Sequence, residues 1–235
     1  MTQIEFKQLI LEANYFTKYE AILDKESLEI YGYEALSKFD IKNEIINTEE
    51  IFKELHHNNK LFFELEKRNK KLQLEKYLLN HKLFLNFDAD IVVTEVQRKY
   101  WENFLSKYKE KVVIEITENG SDDETSSEIM KNFSTWLSSN GFSAALDDFA
   151  QDGSMFSFHI MNNCEYIKID KSFLHQIKEN KNYIHYLSGL LKTIKLNGQK
   201  SIIEGVETLE DLNIVKNLDC DFIQGYFFSD LSFSI

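Results

Sequence analysis

The chain has 235 residues, of which 43% are apolar and 28% are charged, and its formal net charge is −12 at pH 7. This composition is typical of a globular protein that buries a sizeable core, and the length suits one large α/β domain or two small ones. The negative charge argues against a nucleic-acid polymer as partner, so any anionic ligand must meet locally placed cations.

The cysteines and the N-terminal stretch indicate where the protein works. Cys164 and Cys220 have neither the spacing of a zinc site nor that of a disulfide framework, which fits a reducing compartment. Charged residues run through the N-terminal stretch without a long apolar segment, so we expect neither a signal peptide nor membrane insertion. The expected location is the cytoplasm.

The first third of the chain predicts a helix, a hairpin and further helix. Apolar positions at helical spacing indicate a short amphipathic helix over residues 1–14. Residues 19–23 and 28–35 are typical of two strands joined by a turn, with Glu34 near the carboxyl end of the second strand. Helical spacing then dominates residues 48–81, which predicts one or two helices.

From residue 83 onward the sequence repeats one pattern: a short apolar run, a polar residue and a helical stretch. The apolar runs cover residues 83–85, 112–114, 144–146, 166–167, 201–203 and 222–223, and the helical stretches include 90–108, 126–140, 172–196 and 209–218. Such alternation indicates parallel βαβ units. With the opening hairpin there are eight strands, which predicts an α/β fold: a modified TIM (β/α)₈ barrel with an antiparallel first strand. We expect a single domain over residues 1–235.

Polar residues follow these strands at the end where TIM barrels place their active sites. The oxygen donors among them are Glu34, Asn86, Glu115, Asp147 and Asp148. Such donors suit Mg²⁺, Mn²⁺ or Ca²⁺, and adjacent aspartates can share two metal ions, as in two-metal phosphoryl chemistry. Taken alone, each residue is most simply the polar end of a strand, and the aspartate pair a solvated turn.

Three further residues follow strands at the same edge. Lys168 and Gln224 offer donors to an anionic substrate, and Glu204 can orient a water molecule or hold Lys168. The whole set favours metal-dependent phosphoester hydrolysis. At this point a structural barrel without that activity stays open as the alternative.

Seven short motifs occur in order over residues 19–229, nearly the whole chain. They are Tyr33-Glu34-Ala35-Leu36, Leu85-Asn86, Glu115-Ile116-Thr117-Glu118, Leu146-Asp147-Asp148-Phe149, Lys168-Ile169-Asp170-Lys171-Ser172-Phe173, Glu204-Gly205-Val206-Glu207-Thr208 and Gln224-Gly225-Tyr226-Phe227-Phe228. This set resembles that of the EAL-domain family, the cyclic di-GMP phosphodiesterases of bacteria. The resemblance implies a stand-alone EAL domain, a barrel with an antiparallel first strand, Mg²⁺ or Mn²⁺ as cofactor, and hydrolysis of cyclic di-GMP to linear pGpG.

The resemblance also implies a set of metal ligands. Glu34, Asn86, Glu115 and Asp147 would ligate one metal ion. Asp147 would bridge to a second ion, which Asp148 helps to hold. A two-metal site is therefore expected.

The other roles implied by the resemblance surround this metal site. Lys168 would position or help to activate the attacking water, and the expected catalytic group is Lys168, Glu204 and Glu34. The expected substrate-binding residues are Lys38 and Gln224, and the supporting residues behind the ligands are Glu118 and Glu207.

Three departures from the family pattern favour other readings. Lys38 stands where arginine is usual, which keeps the charge but loses the planar fork that grips phosphate. Glu20-Ala21 stands where Gln-Pro is usual. After the aspartate pair, FAQDGSM replaces the common FGTGYSS, so glycines that permit unusual dihedrals are displaced within residues 150–155.

Two alternatives to the active phosphodiesterase stay open. One is a catalytically weak or inactive EAL module that acts as a cyclic di-GMP receptor or a protein-interaction regulator. The other is a phosphodiesterase for a different cyclic dinucleotide. Because the altered loop couples metal binding to dimerisation in the family, a homodimer is a further prediction.

Overall fold

The structure, a computed structural model, describes residues 13–41, 44–46, 48–117, 124–151 and 157–235. The helix predicted over residues 1–14 lies almost wholly outside these ranges, and within them Asn14 already begins a strand. Glu118 and residues 152–155 of the altered loop also lie outside the described residues. Each strand predicted from the repeated pattern is present and extends one to three residues beyond at least one of its predicted ends.

The described residues form ten strands. In chain order they are β1 (Asn14–Asp24), β2 (Ile30–Ile41), β3 (Glu44–Ile46), β4 (Lys82–Phe87), β5 (Val112–Ile116), β6 (Ser143–Phe149), β7 (Tyr166–Ile169), β8 (Lys200–Ile203), β9 (Phe222–Gln224) and β10 (Phe233–Ser234). The central strands are apolar because both of their faces are covered. In β5, for example, all five residues are buried.

Eight of these strands close into a barrel. β2, β4, β5, β6, β7, β8 and β9 lie parallel to their neighbours in that order. β1 closes the ring and runs antiparallel to both β2 and β9. The short strands β3 and β10 pair outside the ring, with β2 and β1 respectively. The predicted modified TIM barrel with an antiparallel first strand is confirmed.

Helices cover the outside of the barrel. Within the described residues the α-helices are α1 (Thr48–Leu55), α2 (Asn59–Lys76), α3 (Glu95–Leu105), α4 (Glu124–Ser139), α5 (Phe158–Met161), α6 (Ser172–Glu179), α7 (Tyr183–Leu196) and α8 (Leu209–Lys216). None of the helices in this part of the chain has the length and apolar character needed to span a bilayer.

Two predicted helices were wrong in their extent. The stretch 172–196 is two helices, because Asn180 leaves the helical conformation and its Oδ1 accepts a hydrogen bond from the Asn182 backbone. The stretch 90–108 is an α-helix over its middle only. Thr94 caps α3 by accepting a hydrogen bond from the Gln97 backbone N–H, and 3₁₀ turns flank the helix.

Side chains along each strand point alternately outward and inward, which divides the core into two layers. Tyr19, Ala21 and Leu23 of β1 point outward into the layer beneath the helices. The inward residues of the lower barrel form a separate apolar cluster, here called the inner plug. Its buried members are Ile22, Phe84, Val113, Ala145, Tyr166, Ile202 and Phe222. The plug fills the amino-terminal half of the barrel, so any site must open at the carboxyl ends of the strands.

Candidate active site

Lys168 of β7 occupies the centre of the carboxyl-end face and is 1% exposed. Its Nζ lies 2.8 Å from Glu115 Oε1 and 2.8 Å from Asp147 Oδ1. The same nitrogen lies 2.9 Å from Glu204 Oε1 and 3.3 Å from Glu34 Oε2. Four of the carboxylates predicted from strand ends therefore converge on one ammonium group.

Two amides orient the Glu34 carboxylate. Asn86 Nδ2 donates to Glu34 Oε1 at 2.7 Å, and Gln224 Nε2 donates to Glu34 Oε2 at 2.7 Å. Because each amide donates through its nitrogen, its carbonyl oxygen is left for another partner. The strand ends of β2, β4 and β9 thus meet as the sequence predicted.

The aspartate pair lies at an irregularity in β6. Consecutive strand residues normally point to opposite faces, but the pairing of β6 with β7 shifts register between Leu146 and Phe149. Asp148 takes a left-handed backbone conformation with φ of 49°, which aspartate tolerates better than most residues. Because of this irregularity, the carboxylates of Asp147 and Asp148 lie close together although the two residues are consecutive.

Ala150 continues this irregular segment. Its φ is 67°, the left-handed region that favours glycine. Glycine is usual at this position in the motif that the chain resembles. The backbone therefore keeps a glycine-like conformation here and accepts about 1–2 kcal/mol of steric cost in doing so.

Two glycines allow close approach between the loops after β7, β8 and β9: Gly205 lies against the loop after β7, and Gly225 lies against the loop after β8. A Cβ on Gly225 would lie 2.3 Å from Val206 O and 2.4 Å from Val206 N, and a Cβ on Gly205 would lie 2.1 Å from Lys171 Cβ. The close approach allows the Val206 N–H to donate to Gln224 O at 3.1 Å. Glu204 and Gln224 are thereby fixed relative to each other.

The acidic ring is the set of carboxylates around Lys168, namely Glu34, Glu115, Asp147, Asp148 and Glu204. Burial raises the pKa of Glu115 well above its ordinary value, and Glu34 adds to this rise while Lys168 opposes it. Burial also raises the pKa of Asp147, against the lowering effect of Lys168. For Glu34 burial acts in the same direction, but Lys168, Gln224 and Asn86 together outweigh it and lower the pKa.

Asp148, Glu204 and the central Lys168 also have shifted pKa values. Burial, followed by the charge of Asp147, raises the pKa of Asp148 to about 7. Burial raises the pKa of Glu204 to about 8, although Lys168 opposes the rise. Burial would lower the pKa of Lys168, but the surrounding carboxylates raise it well above its ordinary value. The ring thus holds more carboxyl groups than one lysine keeps ionised against burial, which is why most of their pKa values are raised.

The excess of carboxyl groups and the oxygen atoms that they offer as ligands fit divalent cations. Two triplets of residues could each hold an ion: Glu34-Glu115-Asp147 and Asp147-Asp148-Glu204. Within each triplet the ligand atoms lie within 4.8 Å of one another, and Asp147 belongs to both. Among the described residues, Glu115 Oε2 and Gln224 Oε1 are buried without a hydrogen-bond partner. A buried acceptor without a donor is costly, and a hard cation bound by oxygen removes that cost.

Of the other predicted site residues, the structure describes Lys38 and Glu207. Lys38 is on the inner face of β2 and partly exposed. The Glu207 side chain is exposed, while its backbone N–H donates to Asp211 Oδ2 at 3.2 Å. Glu118 lies outside the described residues. The supporting roles of Glu118 and Glu207 and the homodimer stay predictions.

The sequence reading missed one cluster beside the site. His56 follows α1, and its Nδ1 lies 2.9 Å from Asp90 Oδ2 and its Nε2 3.3 Å from Asp88 Oδ2. The hydrogen bond with Asp90 raises the pKa of His56, burial opposes this rise, and the charge of Asp88 supports it. Asp88 and Asp90 follow β4 two and four residues after Asn86, which is the signal that could have drawn attention to them.

Comparison with known sequences places the chain among similar proteins. The family model that describes the EAL domain matches residues 5–230. The chain is 26% identical to the probable cyclic di-GMP phosphodiesterase PdeN of Escherichia coli, over 96% of this chain and 45% of PdeN. It is also 26% identical to the cyclic di-GMP phosphodiesterase TpdA of Vibrio parahaemolyticus, over 90% of this chain and 36% of TpdA. The chain spans less than half the length of these relatives.

Solved structures share the fold. An EAL domain protein from Listeria monocytogenes superimposes with a TM-score of 0.78 at 20% identity, covering 97% of this chain and 92% of that one. The FimX EAL domain from Pseudomonas aeruginosa bound to c-di-GMP gives 0.77 at 19% identity, covering 96% and 94%. The Bacillus subtilis YkuI protein, solved with c-di-GMP and calcium, gives 0.74 at 20% identity, covering 97% and 57%.

Proposed function

Because the chain belongs to the EAL-domain family, we propose that it is a metal-dependent phosphodiesterase that hydrolyses cyclic di-GMP to linear pGpG and so lowers the level of this second messenger. The observation that carries the proposal is the acidic ring around Lys168, with two ligand triplets that share Asp147. The relative TpdA, described as a cyclic di-GMP phosphodiesterase, and PdeN, described as a probable one, support the choice of substrate.

The ring residues have separate tasks in this proposal. Glu34, Asn86, Glu115 and Asp147 would hold one Mg²⁺ or Mn²⁺ ion, and Asp147 with Asp148 would hold a second. Bound divalent cations supply charge neutralisation at the phosphate and lower the pKa of a water molecule. The acidic ring can therefore accept an anionic substrate only in the metal-loaded protein.

Lys168 acts through its charge and not as a proton acceptor. Its pKa is raised by the carboxylates around it, so it keeps its proton at neutral pH. An ammonium group fixed among four carboxylates is a preorganised positive charge, which favours negative charge that develops on the transferring phosphoryl group. Glu204, partly exposed at the mouth, orients the attacking water, and Gln224 holds Glu34 in place and offers its Oε1.

Turnover of cyclic di-GMP by the purified chain tests the proposal. The assay separates pGpG from substrate by chromatography, with Mn²⁺ or Mg²⁺ and with EDTA. We expect metal-dependent conversion to pGpG, and loss of at least about a thousandfold in rate for Asp147→Asn, since it removes the shared ligand. Lys99→Met on the exposed face of α3 is a surface control and keeps the native rate. Absence of turnover at high protein concentration with either metal contradicts the proposal.

A second candidate, a receptor that binds cyclic di-GMP without cutting it quickly, rests on two observations. Ala150 holds a left-handed backbone conformation beside the aspartate pair. Lys38 stands where arginine is usual in the family, and its ammonium group lacks the planar pair of donors with which a guanidinium binds phosphate. Ala150→Gly separates the candidates. If steric cost at this position limits catalysis, the variant turns over faster at unchanged affinity. An unchanged rate that is already negligible, together with tight binding, favours the receptor.

A further inference from the structure

The upper inner face of the β1–β2 hairpin forms a wall of the candidate site. Ile22 of β1 points into the inner plug, while Tyr19, Ala21 and Leu23 point outward. Because side chains alternate along a strand, Lys18 lies on the same inner face as Ile22, two pleats nearer the mouth.

The partner strand follows the same rule. Glu34 of β2 reaches Lys168 inside the barrel, whereas Tyr33, Ala35 and Phe39 pack in the outer layer. The pairing of the two strands is regular from Asn14 to Ile22, so no slip changes the faces in between. Lys38 therefore shares the inner face with Glu34, and so does Lys18 across the hairpin.

Register places Lys18 between the metal ligands and Lys38. Glu20 lies directly opposite Glu34, Lys18 opposite Leu36, and Phe16 opposite Lys38. At about 3.4 Å per residue, Lys18 stands about 7 Å beyond the level of Glu34 and Lys38 about 14 Å beyond it. Lys18 and Lys38 are diagonal neighbours, within reach of one another for long side chains.

Glu20 holds the Lys18 side chain toward the site. Lys18 Nζ lies 2.6 Å from Glu20 Oε1, and the two side chains are 37% and 29% exposed. An ion pair this open contributes little to stability and exchanges readily. An ammonium group has three N–H donors and this pair uses one of them, so Lys18 can donate to a further anionic oxygen.

We propose that Lys18 binds the second phosphodiester of the cyclic dinucleotide and, with Lys38, sets the substrate's orientation. This inference rests on the proposed function. A cyclic dinucleotide carries two phosphodiester groups, and only the one that is cut meets the metal ligands. The other lies in the same small ring and faces a mouth dominated by carboxylates, so a cation about 7 Å from the level of Glu34 is suited to it.

A purely structural reading of Lys18 makes different predictions. In that reading Lys18 only neutralises Glu20, which stands opposite the Glu34 carboxylate. Removing the Glu20 charge would then make Lys18 dispensable. If Lys18 binds phosphate, removing Glu20 instead frees it, and its loss stays harmful in the absence of Glu20.

A double-mutant cycle distinguishes the two readings. Steady-state hydrolysis of cyclic di-GMP with Mn²⁺ is measured for the native chain, Lys18→Met, Glu20→Gln, the double variant and Lys18→Arg. We expect Lys18→Met to raise KM about tenfold with kcat nearly unchanged, the effect of losing one charge-assisted contact. Glu20→Gln should lower KM or leave it unchanged, and Lys18→Arg should retain most of the affinity. Lys99→Met again controls for net charge.

The outcomes separate failure of this inference from failure of the proposed function. A native chain that neither binds nor cuts cyclic di-GMP overturns the proposed function. A native chain that cuts it while Lys18→Met keeps the native KM overturns the role of Lys18 alone. A double variant with native KM also overturns it, since that result assigns Lys18 to neutralising Glu20. A double variant as impaired as Lys18→Met supports phosphate binding.

Discussion

The two halves of the barrel interior contrast sharply although the same strands build both. The inner plug in the amino-terminal half is apolar and tightly buried, whereas the acidic ring in the carboxyl-terminal half gathers like charges around one lysine. On most strands the plug residue and the site residue point to the same face of the strand and are two residues apart in the sequence. The pairs, written plug then site, are Phe84 and Asn86, Val113 and Glu115, Ala145 and Asp147, Tyr166 and Lys168, Ile202 and Glu204, and Phe222 and Gln224.

This spacing explains how one small fold can be stable and still hold an unfavourable site. The plug and the outer apolar layer provide hydrophobic stabilisation, which scales with buried area. The acidic ring opposes folding because its carboxylates are buried beside one another, as the raised pKa values of Glu115 and Asp147 indicate. Changes in the lower half should therefore affect stability, and changes in the upper half should affect chemistry.

The largest expected effect is that of Lys168→Met. It leaves the buried carboxylates without their ammonium partner, so in EDTA the free energy of unfolding falls by about 3 kcal/mol or more. Hydrolysis of cyclic di-GMP falls by about a thousandfold, since the preorganised positive charge is gone. Urea unfolding and the turnover assay measure the two effects.

Lys70→Met is the matched control for this variant. Lys70 is equally buried, on α2, and pairs with Glu66 at 2.7 Å outside the barrel interior. It should lose stability but keep the native rate per folded molecule. Equal activity losses in the two variants would contradict a specific role for Lys168.

Phe84→Ala in the inner plug should affect stability alone. Phe84 is fully buried, so the cavity costs about 3–5 kcal/mol of unfolding free energy. The rate per folded molecule should stay near native at a temperature where the variant is folded, and Phe84→Leu should lose less stability. A rate that falls as steeply as in Lys168→Met would show that the two halves are not separable.

Glu115→Gln should stabilise the protein in EDTA and weaken its stabilisation by metal, because it removes a ligand of one of the two proposed ions. A carboxyl whose pKa is raised by folding loses stability as pH rises from its ordinary pKa of 4.5 through its folded pKa. The amide removes this loss, so the variant should gain about 1 kcal/mol at neutral pH and nothing in acid. Thermal unfolding with and without Mn²⁺ measures both effects. A variant that is destabilised in EDTA, and that Mn²⁺ stabilises as much as it stabilises the native chain, contradicts the account.

The smallest expected effect is the pH dependence of His56→Gln. Because folding raises the pKa of His56 above 6.5, its pairing with Asp88 and Asp90 stabilises the fold fully below pH 6.5 and loses that effect as pH rises through the folded pKa. The difference in urea midpoint between native and variant should be present in acid and disappear in alkali. His185→Gln on α7 is the control. A difference independent of pH would assign His56 a packing role only.

The fold and the ring were predictable because both follow from local patterns. A short apolar run that ends in a carboxylate predicts a buried strand and also predicts that the carboxylate lies at the carboxyl end of that strand, as at Glu115 and Asp147. In a parallel barrel those ends must converge. The convergence on Lys168 needed only the strand order.

Features that depend on particular side-chain contacts or on strand register were not predictable. The break between α6 and α7 arises from an Asn180 side chain that folds back on its own turn. The His56 cluster joins α1 to the loop after β4, more than thirty residues apart. The inward position of Lys18 became evident only from the register of β1 against β2, because one residue of slip would reverse its face.

Binding of Mn²⁺ to the native chain and to Asp147→Asn tests most directly whether the acidic ring exists to hold cations. The free ion is counted by electron paramagnetic resonance during a titration of metal-free protein. The account predicts two bound ions per native chain with magnetic coupling between them, and loss of the coupling and of the tighter site in the variant. A native chain that binds no Mn²⁺, or a variant that binds two coupled ions as the native chain does, would contradict it.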